Sequence, residues 1–420
     1  MTIADLYKKE KDRFLDQCIQ CGLCAEECPV LPYTDMDGVS SVDIQEAVYD
    51  SVETGSFNTL SYTKAFACME CFKCTADLCP RDLNPMLVNE LIKRDFTSKG
   101  KADSLFSDAG LPDSTHRILS GVQVSEAEYE RITTPTPVKE VKYLFYPGCN
   151  VYFQPDKILN ALDIMDAIGD SYAFLPGLDY CCGDNHLFFG LQEEGSESAD
   201  AFMAAVAGYT PEAVVLWCPT CQCRFDKYMS IAMDVPFKVM SFPQYLSKNM
   251  DRLALGNPGP GKRLTLHEPC KSAYTGIDPD GARQVLTQLP GVELREMARH
   301  GRETACCGSG AVCWFPDSFR SMGQDRLKEA EQTGAEMMAT VCHFCGQAFG
   351  AQEDQFDFEV INYVTLVAEA MGIRREDKFK KYRQWNDIGK IMADIGPRAE
   401  TLPFSRETIV STLETVFIKK

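Results

Sequence analysis

A chain of 420 residues is long enough for two or three domains, and its net charge is −19. That charge lacks the basic footprint that binding to a nucleic-acid backbone requires, so nucleic acid is excluded as a partner. The first residues carry charges where a signal peptide needs an apolar run, and no apolar stretch reaches the roughly 18 residues of a membrane span. We therefore expect a cytoplasmic protein that does not cross a membrane by itself.

Twenty cysteines are the outstanding feature of the composition. A disulfide framework suits small secreted domains, not a chain of this length that starts without a leader. Structural zinc would use paired Cys-x2-Cys units, with four ligands for each metal. The cysteine spacing favours iron–sulfur chemistry over both alternatives.

Two runs of four cysteines lie within the first hundred residues: "CIQCGLCAEECP" and "CMECFKCTADLCP". In two-cluster ferredoxins, three cysteines spaced by two residues hold one [4Fe–4S] cubane, and the fourth, before a proline, ligates the other. We therefore predict two ligand sets. The first N-terminal set is Cys18, Cys21, Cys24 and Cys79, and the second N-terminal set is Cys68, Cys71, Cys74 and Cys28.

Helix patterns accompany these runs. "SVDIQEAVYDSV" repeats apolar residues at helical spacing from Ser41, and "NPMLVNELIKRDF" places Pro85 in a first turn. The gap between Cys74 and Cys79 is one residue longer than in the first run, which we expect to distort the surroundings of the second cubane. Residues 1–100 are predicted to form a helical ferredoxin-type domain that carries electrons.

Residues 101–140 are a predicted linker, because periodicity is broken and "TTPTPVKE" favours extended chain. Its short helical patches are expected to pack against either side, so a fully flexible tether is not implied. Beyond the linker the chain repeats itself. "VKYLFYPGC" and "KRLTLHEPC" are strand patterns ending at a cysteine, and each leads to a helix, a Cys-Cys-Gly triplet, a second helix and a strand before Cys-x2-Cys. Matching cysteines recur 121, 125 and 124 residues later, so duplication is the economical explanation.

Strands that alternate with helices predict a mostly parallel α/β layer in each half. We place the first half at residues 141–257, the second half at 258–365 and a helical extension at 366–420. The predicted fold class is thus α+β and multidomain, with a helical two-cluster domain before two α/β domains. Cysteines at the carboxyl ends of strands gather at one sheet edge, so the candidate site is a pocket between the halves.

The extension contains "REDKFKKYRQWNDIGKIM", a charged pattern that predicts one amphipathic helix. It either docks a partner or caps the fold.

Each half supplies five ligand-grade cysteines, although a cubane needs four. The first five-cysteine set is Cys149, Cys181, Cys182, Cys218 and Cys221, and the second is Cys270, Cys306, Cys307, Cys342 and Cys345. Adjacent Cα atoms lie about 3.8 Å apart, so neighbouring thiolates reach adjacent irons if the chain bends, which Gly183 and Gly308 permit. Five thiolates suggest an opened cluster that accepts an external ligand; a cubane beside a spare thiol is the alternative. Cys223 and Cys313 fall outside both patterns and are predicted to be buried or incidental thiols.

This spacing resembles the duplicated CCG domain of heterodisulfide reductase, and the preceding region resembles that enzyme's electron-input subunit, over about residues 10–365. The resemblance implies a noncubane [4Fe–4S] cluster on each five-cysteine set, with all ten cysteines as ligands. It implies that a small-molecule disulfide is reduced to two thiols in the gap between the halves. A flavoprotein or membrane cytochrome would donate electrons within a hetero-oligomeric complex, so any association with a membrane is expected through that partner.

Two other interpretations stay open. Related iron–sulfur subunits of glycolate, lactate and glycerol-3-phosphate oxidases share this architecture but only relay electrons, and an electron-transfer flavoprotein complex offers a similar role. A structural scaffold is disfavoured by the density of clusters. Because both cysteine sets are complete, an oxidoreductase acting on sulfur groups is the favoured interpretation.

Candidates for proton transfer are less well defined by the sequence. His186, His267 and His343 lie close to the cysteine motifs and could protonate a departing thiolate, although such a histidine more often bonds cluster sulfur or backbone. Lys271 could stabilise thiolate charge or be solvated. No Gly-x-Gly-x-x-Gly fingerprint precedes a helix, so flavin or nicotinamide is expected on another subunit.

Overall fold

A computed structural model describes residues 2–102, 108–232, 235–256 and 262–418. The N-terminal region is helical, as predicted. Its helices are α1 (Ile3–Gln17), α2 (Leu23–Glu26), α3 (Ser41–Thr54), α4 (Thr59–Phe66) and α5 (Pro85–Ser98). The side chains of Ser40 and Asn84 accept hydrogen bonds from the first turns of α3 and α5, which is why these two helices begin there.

The extra residue before Cys79 is taken up by the backbone. Residues Cys74–Leu78 form a π-helical turn, which accommodates one more residue than an α-helical turn. Cys79 leaves this turn in an extended conformation. The extra residue in the longer spacing is therefore accommodated within this turn.

The segment predicted as a linker contains two helices, α6 (Thr115–Gln123) and α7 (Glu126–Thr133). Ser114 caps α6 and Ser125 caps α7, each accepting a hydrogen bond from an amide three residues later. The connection between the N-terminal region and the duplicated halves is thus a packed structure over residues 115–133.

The first half is a parallel sheet with helices around it. Its elements are β1 (Tyr143–Tyr146), α8 (Pro155–Ile168), β2 (Tyr172–Phe174), α9 (Asp184–Phe188), α10 (Gln192–Gly208), β3 (Ala213–Leu216), α11 (Pro219–Arg224), α12 (Ser230–Ala232), β4 (Lys238–Ser241) and α13 (Phe242–Ser247). The strand order is β2-β1-β3-β4, and Phe145 lies opposite Val215. β3 is apolar throughout and fully buried, as a central parallel strand should be.

The second half repeats this arrangement. Its elements are β5 (Lys262–His267), α14 (Cys270–Thr275), α15 (Gly281–Gln288), β6 (Val292–Leu294), α16 (Pro316–Glu331), β7 (Met337–Thr340), α17 (His343–Gly350), β8 (Glu359–Asn362) and α18 (Tyr363–Ala370). All pairs are parallel and the strand order, β6-β5-β7-β8, is that of the first half. The predicted pair of parallel α/β layers is confirmed.

The C-terminal extension is helical, but one prediction about it is wrong. The helices are α19 (Lys378–Trp385), α20 (Ile388–Ile395), α21 (Arg398–Thr401) and α22 (Arg406–Phe417). The pattern predicted as one amphipathic helix is two, because Asn386 takes a left-handed conformation (φ 48°) and ends α19. Phe379, Ile391 and Leu413 of these helices pack with Leu119 of α6 in one buried cluster.

One apolar core connects the N-terminal region to both sheets. It contains Leu6 of α1, Leu87 of α5, Val215 of β3 and Leu266 of β5. The N-terminal helices therefore pack directly on the duplicated halves. Within the part of the chain that the structure describes, no helix combines the length and apolarity needed to cross a lipid bilayer.

Candidate metal centres

The fold places cysteines at the carboxyl ends of the central strands. Cys149 follows β1 and Cys270 follows β5, while Cys218 and Cys342 follow β3 and β7 and occupy the N-caps of α11 and α17. Because neighbouring strands are parallel, these ends share one edge of each sheet. The gathering of cysteines predicted from the repeat is thus present in both halves.

The Cys-Cys-Gly turns depend on their glycines. Gly183 has φ 84° and Gly308 has φ 80°, a left-handed conformation that other residues rarely adopt. A Cβ atom at Gly183 would lie 2.2 Å from the carbonyl oxygen of Gly195. Each of these glycine amides donates a hydrogen bond at 3.4 Å to the sulfur of the first cysteine of its pair, Cys181 or Cys306.

The five thiols of each half form a string of contacts in the same order. The strings are Cys149–Cys181–Cys182–Cys221–Cys218 and Cys270–Cys306–Cys307–Cys345–Cys342. The Sγ atoms of Cys182 and Cys221 are 3.3 Å apart, and those of Cys270 and Cys306 are 3.8 Å apart. The two adjacent cysteines therefore point to different partners, one to the strand-end cysteine and the other to the Cys-x2-Cys pair.

All ten of these cysteines line one cavity of about 190 Å³, which we call the central cavity. Met69 from the N-terminal region and Phe188 and Lys271 from the two halves also line it. Cys313, predicted to be a buried or incidental thiol, lies on this wall as well, whereas Cys223 is buried in the core. The repeat could not reveal Cys313, because its counterpart 125 residues earlier is Phe188.

The four cysteines of the first N-terminal set lie close together in the structure. They line one pocket with Gln45 of α3. The thiol of Cys24 donates to Gln45 Oε1 at 2.8 Å, and Gln45 Nε2 donates to Cys18 Sγ at 3.7 Å. Cys21 is exposed, and so are its neighbours Ile19 (52 %) and Leu23 (37 %). This set is therefore the one that reaches the protein surface.

Lys64 lies between the two N-terminal sets and was missed in the sequence. It is 3 % exposed, and its Nζ donates to the carbonyl oxygen of Cys24 at 3.0 Å. Burial acts to lower the pKa of this ammonium, but the thiols of Cys28, Cys74, Cys24 and Cys68 raise it, and the net shift is upward. A buried cation at this place offsets part of the negative charge that ligating thiolates carry.

The second N-terminal set approaches the second half. Burial raises the pKa of the Cys71 thiol, and neighbouring Cys270 of the second five-cysteine set raises it further. Tyr274 packs with Cys71 and Cys306 and donates its hydroxyl to the carbonyl oxygen of Thr304 at 2.6 Å. The predicted centres thus follow one another from the surface at Cys21 to the central cavity.

Lys271, predicted either to stabilise thiolate charge or to be solvated, lines the central cavity. Its Nζ lies 3.6 Å from Glu70 and 3.9 Å from Asp184. Burial acts to lower the pKa of Lys271, but Asp184 and then Glu70 raise it, so the net shift is upward and the side chain stays charged. A fixed cation is therefore present at the wall of the cavity.

The three histidines are all buried. Burial lowers the pKa of His186, and it lowers that of His343 to about 3, which keeps this imidazole neutral. None of the three histidines is among the described residues that line the central cavity. His267 lies beside Cys307, whose pKa is held well below its usual value by contacts with Cys306 and Cys345 and then with His267 itself.

A buried ion network joins the N-terminal region to both halves. Arg224 of α11 lies 3.1 Å from Glu70 and also contacts Glu90 and Asp184. Lys271 of the second half lies beside two of these carboxylates, Glu70 and Asp184. Burial, together with Asp184 and Glu90, raises the pKa of Glu70 to about 8. The network lies directly behind the wall of the central cavity, since Asp184 and Lys271 belong to both.

The sulfur atoms have the environment that iron–sulfur ligands require. Besides the two glycine amides, the amide of Glu70 donates to Cys68 Sγ and the amide of Leu83 donates to Cys79 Sγ, each at 3.4 Å. Such N–H···S bonds stabilise thiolates and tune bound clusters. The residues present therefore fit iron–sulfur clusters at both N-terminal sets and at both five-cysteine sets.

Comparison with models of protein families gives two matches. A model described as a cysteine-rich domain, CCG, matches residues 143–226 and again residues 264–350. A model described as a 4Fe-4S dicluster domain matches residues 14–83. The matched segments contain all of the predicted cluster cysteines.

Several curated proteins are similar to most of the chain. One subunit of the dihydromethanophenazine:CoB–CoM heterodisulfide reductase from Methanosarcina barkeri is 22 % identical over 396 residues, 86 % of this chain and 94 % of that protein. One subunit of the fumarate reductase (CoM/CoB) from Methanothermobacter marburgensis is 23 % identical over 353 residues, 78 % of this chain and 66 % of that protein. EtfAB:quinone oxidoreductase from Syntrophomonas wolfei is 21 % identical over 395 residues, 79 % of this chain and 54 % of that protein.

Proposed function

This chain belongs to the iron–sulfur proteins that join a 4Fe-4S dicluster domain to a duplicated CCG cysteine-rich domain, and we propose that it reduces a small-molecule disulfide to two thiols. The two N-terminal sets would hold cubane [4Fe–4S] clusters and the two five-cysteine sets would hold noncubane [4Fe–4S] clusters, which would carry electrons from a redox partner to the central cavity. The S–S bond breaks, and two electrons and two protons complete the two thiols. The similarity to the heterodisulfide reductase protein of Methanosarcina barkeri, over nearly the whole length of that protein, supports this substrate class.

One observation carries the proposal. Two complete strings of five thiols, in the same order, line a single cavity between the halves. A disulfide has two sulfur atoms, and its cleavage needs a binding place for each of them. A chain that only relays electrons needs closely spaced centres but no shared cavity with two equal ligand sets.

Residues of the cavity wall contribute to binding and charge. Lys271 holds a positive charge beside the second five-cysteine set, where it can stabilise a departing thiolate. Phe188, Phe189 and Phe344 provide an apolar wall that excludes water from the reacting sulfur atoms. Of the three histidine candidates for proton transfer, His267 is the best placed, because one of its ring nitrogens and the Sγ atoms of Cys307 and Cys345 lie within 4.8 Å of one another.

Electrons enter at the first N-terminal set in this proposal. The exposed thiol of Cys21, flanked by Ile19 and Leu23, provides a short distance to a docked redox partner. We propose a flavoprotein or membrane cytochrome subunit as that partner, within a hetero-oligomeric complex in the cytoplasm or at a membrane. Similarity to named subunits of reductases supports the complex.

A second candidate function is electron relay without a substrate of its own. The similarity to EtfAB:quinone oxidoreductase over 79 % of this chain favours it. In that role the chain would serve a glycolate, lactate or glycerol-3-phosphate type of dehydrogenase or an electron-transfer flavoprotein complex. Both functions use the same N-terminal clusters, so a test must address the cysteines of the central cavity.

The decisive test is the substitution of the second cysteine in each adjacent pair. In Cys182→Ala and Cys307→Ala, four thiolates remain and can hold an ordinary cubane, so iron content should change little. The rate of disulfide reduction should fall by more than about 100-fold. Loss of a residue that only hydrogen-bonds a metal ligand typically costs about 10–100-fold, and loss of a ligand itself should cost more. Iron content, reduction of the N-terminal clusters and disulfide reduction are measured on the same anaerobic sample.

Cys223→Ala is the matched control, since Cys223 lies in the core, outside the two strings and away from the lining of the central cavity, and this variant should keep its turnover. The unmodified protein should contain about sixteen iron and sixteen sulfide per chain, from four four-iron clusters. Normal turnover by either Cys182→Ala or Cys307→Ala, or an iron content near eight in the unmodified protein, would contradict the proposed function and favour the relay.

A further inference from the structure

The duplicated halves differ at one position beside their cysteines. β1 ends at Tyr146 and β5 ends at His267, each three residues before the strand-end cysteine. Tyr146 lies opposite Leu216 and His267 lies opposite Thr340, the last residues of β3 and β7. Both side chains are fully buried, so the repeat puts a phenol and an imidazole at equivalent places.

The contacts of these two side chains are different. The hydroxyl of Tyr146 donates to the carbonyl oxygen of Tyr180 at 2.8 Å, and its ring packs on Phe202 with 4.4 Å between centroids. In the second half, Nε of Arg326 donates to Nδ1 of His267 at 3.1 Å. The phenol therefore donates its hydrogen to the backbone, whereas the imidazole accepts one from a guanidinium.

Arg326 holds this bond in a fixed orientation. It is fully buried on α16, and its Nη1 donates to the carbonyl oxygen of Arg299 at 2.8 Å while its Nη2 donates to Thr304 Oγ1 at 3.1 Å. A guanidinium has five hydrogens and no acceptor, so its Nε must be the donor to His267. Nδ1 is thus an acceptor, and the ring hydrogen of His267 is on Nε2.

The Nε2 atom of His267 is buried, and apart from the neighbouring thiol of Cys307 it has no hydrogen-bond partner among the residues that the structure describes. A ring nitrogen of His267 and the Sγ atoms of Cys307 and Cys345 all lie within 4.8 Å of one another. A buried N–H without an acceptor is rare and costly. Because Nε2 carries the hydrogen, it is a donor and not an iron ligand, and sulfur is the acceptor that a cluster at this place would offer.

We infer that Nε2–H of His267 donates to a sulfur of the cluster on the second five-cysteine set and makes this centre easier to reduce than the one in the first half. The inference rests on the proposed function, because it requires a cluster in each half. A hydrogen bond to sulfur stabilises the negative charge that reduction adds, so it raises the reduction potential. At the equivalent place in the first half, the hydroxyl of Tyr146 is bonded to the backbone.

The position of the second N-terminal set agrees with a higher reduction potential in the second half. Cys71 of the second N-terminal set lies close to Cys270, a member of the second five-cysteine set. Electrons that leave the N-terminal region therefore arrive at the half that contains His267. The first electron should reside in the second half before both halves are reduced.

The test compares reduction potentials in the reconstituted full chain. The potentials are measured by anaerobic redox titration, with electron paramagnetic resonance as the signal. His267→Phe should make one of the two central-cavity centres about tenfold harder to reduce, which is about 59 mV for a one-electron couple. The other centre should not move. In His267→Gln the amide N–H should restore most of the difference. Tyr146→Phe is the matched control in the first half and should move neither midpoint.

The possible outcomes are separable. Unchanged midpoints in His267→Phe with full iron content would overturn the inference while leaving the proposed function intact. Loss of iron from the second half in both His267→Phe and His267→Gln would also overturn it, because it would indicate a ligand role. Loss of iron in His267→Phe, with a normal potential in His267→Gln, would support the need for an N–H donor. An unmodified protein with about eight irons would contradict the proposed function itself.

Discussion

At the scale of single residues, Lys64 places a positive charge beside the cysteine thiolates of the two N-terminal sets, whose combined negative charge it partly offsets. The ammonium is buried between the two N-terminal sets and contacts the backbone of Cys24. An electron added to either neighbouring cluster is stabilised by this positive charge. Lys64 therefore belongs to the conduction pathway although it binds no iron.

Lys64→Met should make both N-terminal clusters harder to reduce, by on the order of 50 mV, or about tenfold in a one-electron equilibrium. Redox titration of the N-terminal signals checks this expectation. Lys99→Met is the control, because Lys99 is 45 % exposed and pairs with Asp95 at 2.8 Å on the surface of α5. Equal potentials in the Lys64→Met and Lys99→Met proteins would show that the buried charge has no effect on the clusters.

The cysteine ligands could be predicted from the sequence, whereas the charged and polar side chains around them could not. The spacing of Cys18, Cys21 and Cys24 is local, so the ligand pattern is visible without a structure. Lys64, Arg224 and Cys313 become meaningful only through contacts between segments far apart in the chain. A charged residue in a helix pattern is expected to be solvated unless tertiary structure buries it.

At the scale of elements, strands and long helices were predictable because their apolar periodicity extends over many residues. The break at Asn386 and the π-helical turn before Cys79 were not, since both depend on the conformation of one or a few residues. For α6, the sequence indicated short helical patches in the linker, but their weak periodicity did not give the bounds of the helix. It packs with the C-terminal helices through Leu119 and with the first half through His116.

His116 makes the attachment of α6 sensitive to pH. Its Nε2 is 2.7 Å from Asn150 Oδ1, its ring stacks on Phe153, and burial lowers its pKa to about 4. An unfolded histidine titrates near pH 6.5, so between about pH 6.5 and 4 the unfolded chain binds a proton that the folded chain does not. The free energy of unfolding should therefore decrease as the pH is lowered through this window, and at pH 5 it should be about 2 kcal/mol lower than at neutral pH.

Urea unfolding at pH 7 and pH 5 measures this difference. His116→Gln keeps a donor for Asn150 but does not titrate, so the loss of stability between the two pH values should be smaller by about 2 kcal/mol. An identical loss in the unmodified and His116→Gln proteins would show that protonation elsewhere is responsible.

At the scale of the whole molecule, the ion network around Arg224 joins three regions. Glu70 and Glu90 come from the N-terminal region, Asp184 and Arg224 from the first half, and Lys271 from the second. Removing one partner of a buried ion pair leaves an uncompensated charge, which typically costs about 3–5 kcal/mol. The relative positions of the three regions therefore depend on this cluster of charges.

Arg224→Met should lower the stability of the assembled chain by about 3–5 kcal/mol, seen as a clear drop in the apparent melting temperature. Arg94→Met removes an exposed pair with Glu193, whose side chains are 45 % and 66 % accessible, and should cost less than about 1 kcal/mol. If Arg224→Met melts no earlier than Arg94→Met, the network does not hold the regions together.

The burial of the thiols also sets an order of events in the biogenesis of the protein. Seven of the ten cysteines of the central cavity are buried, and the wall is closed on one side by Met69. Iron and sulfide delivered after the halves and the N-terminal helices have docked would have to enter through the central cavity, the same opening that a substrate would use. Insertion before docking meets more exposed thiols, so we expect the newly made chain to receive its clusters before its regions close on one another.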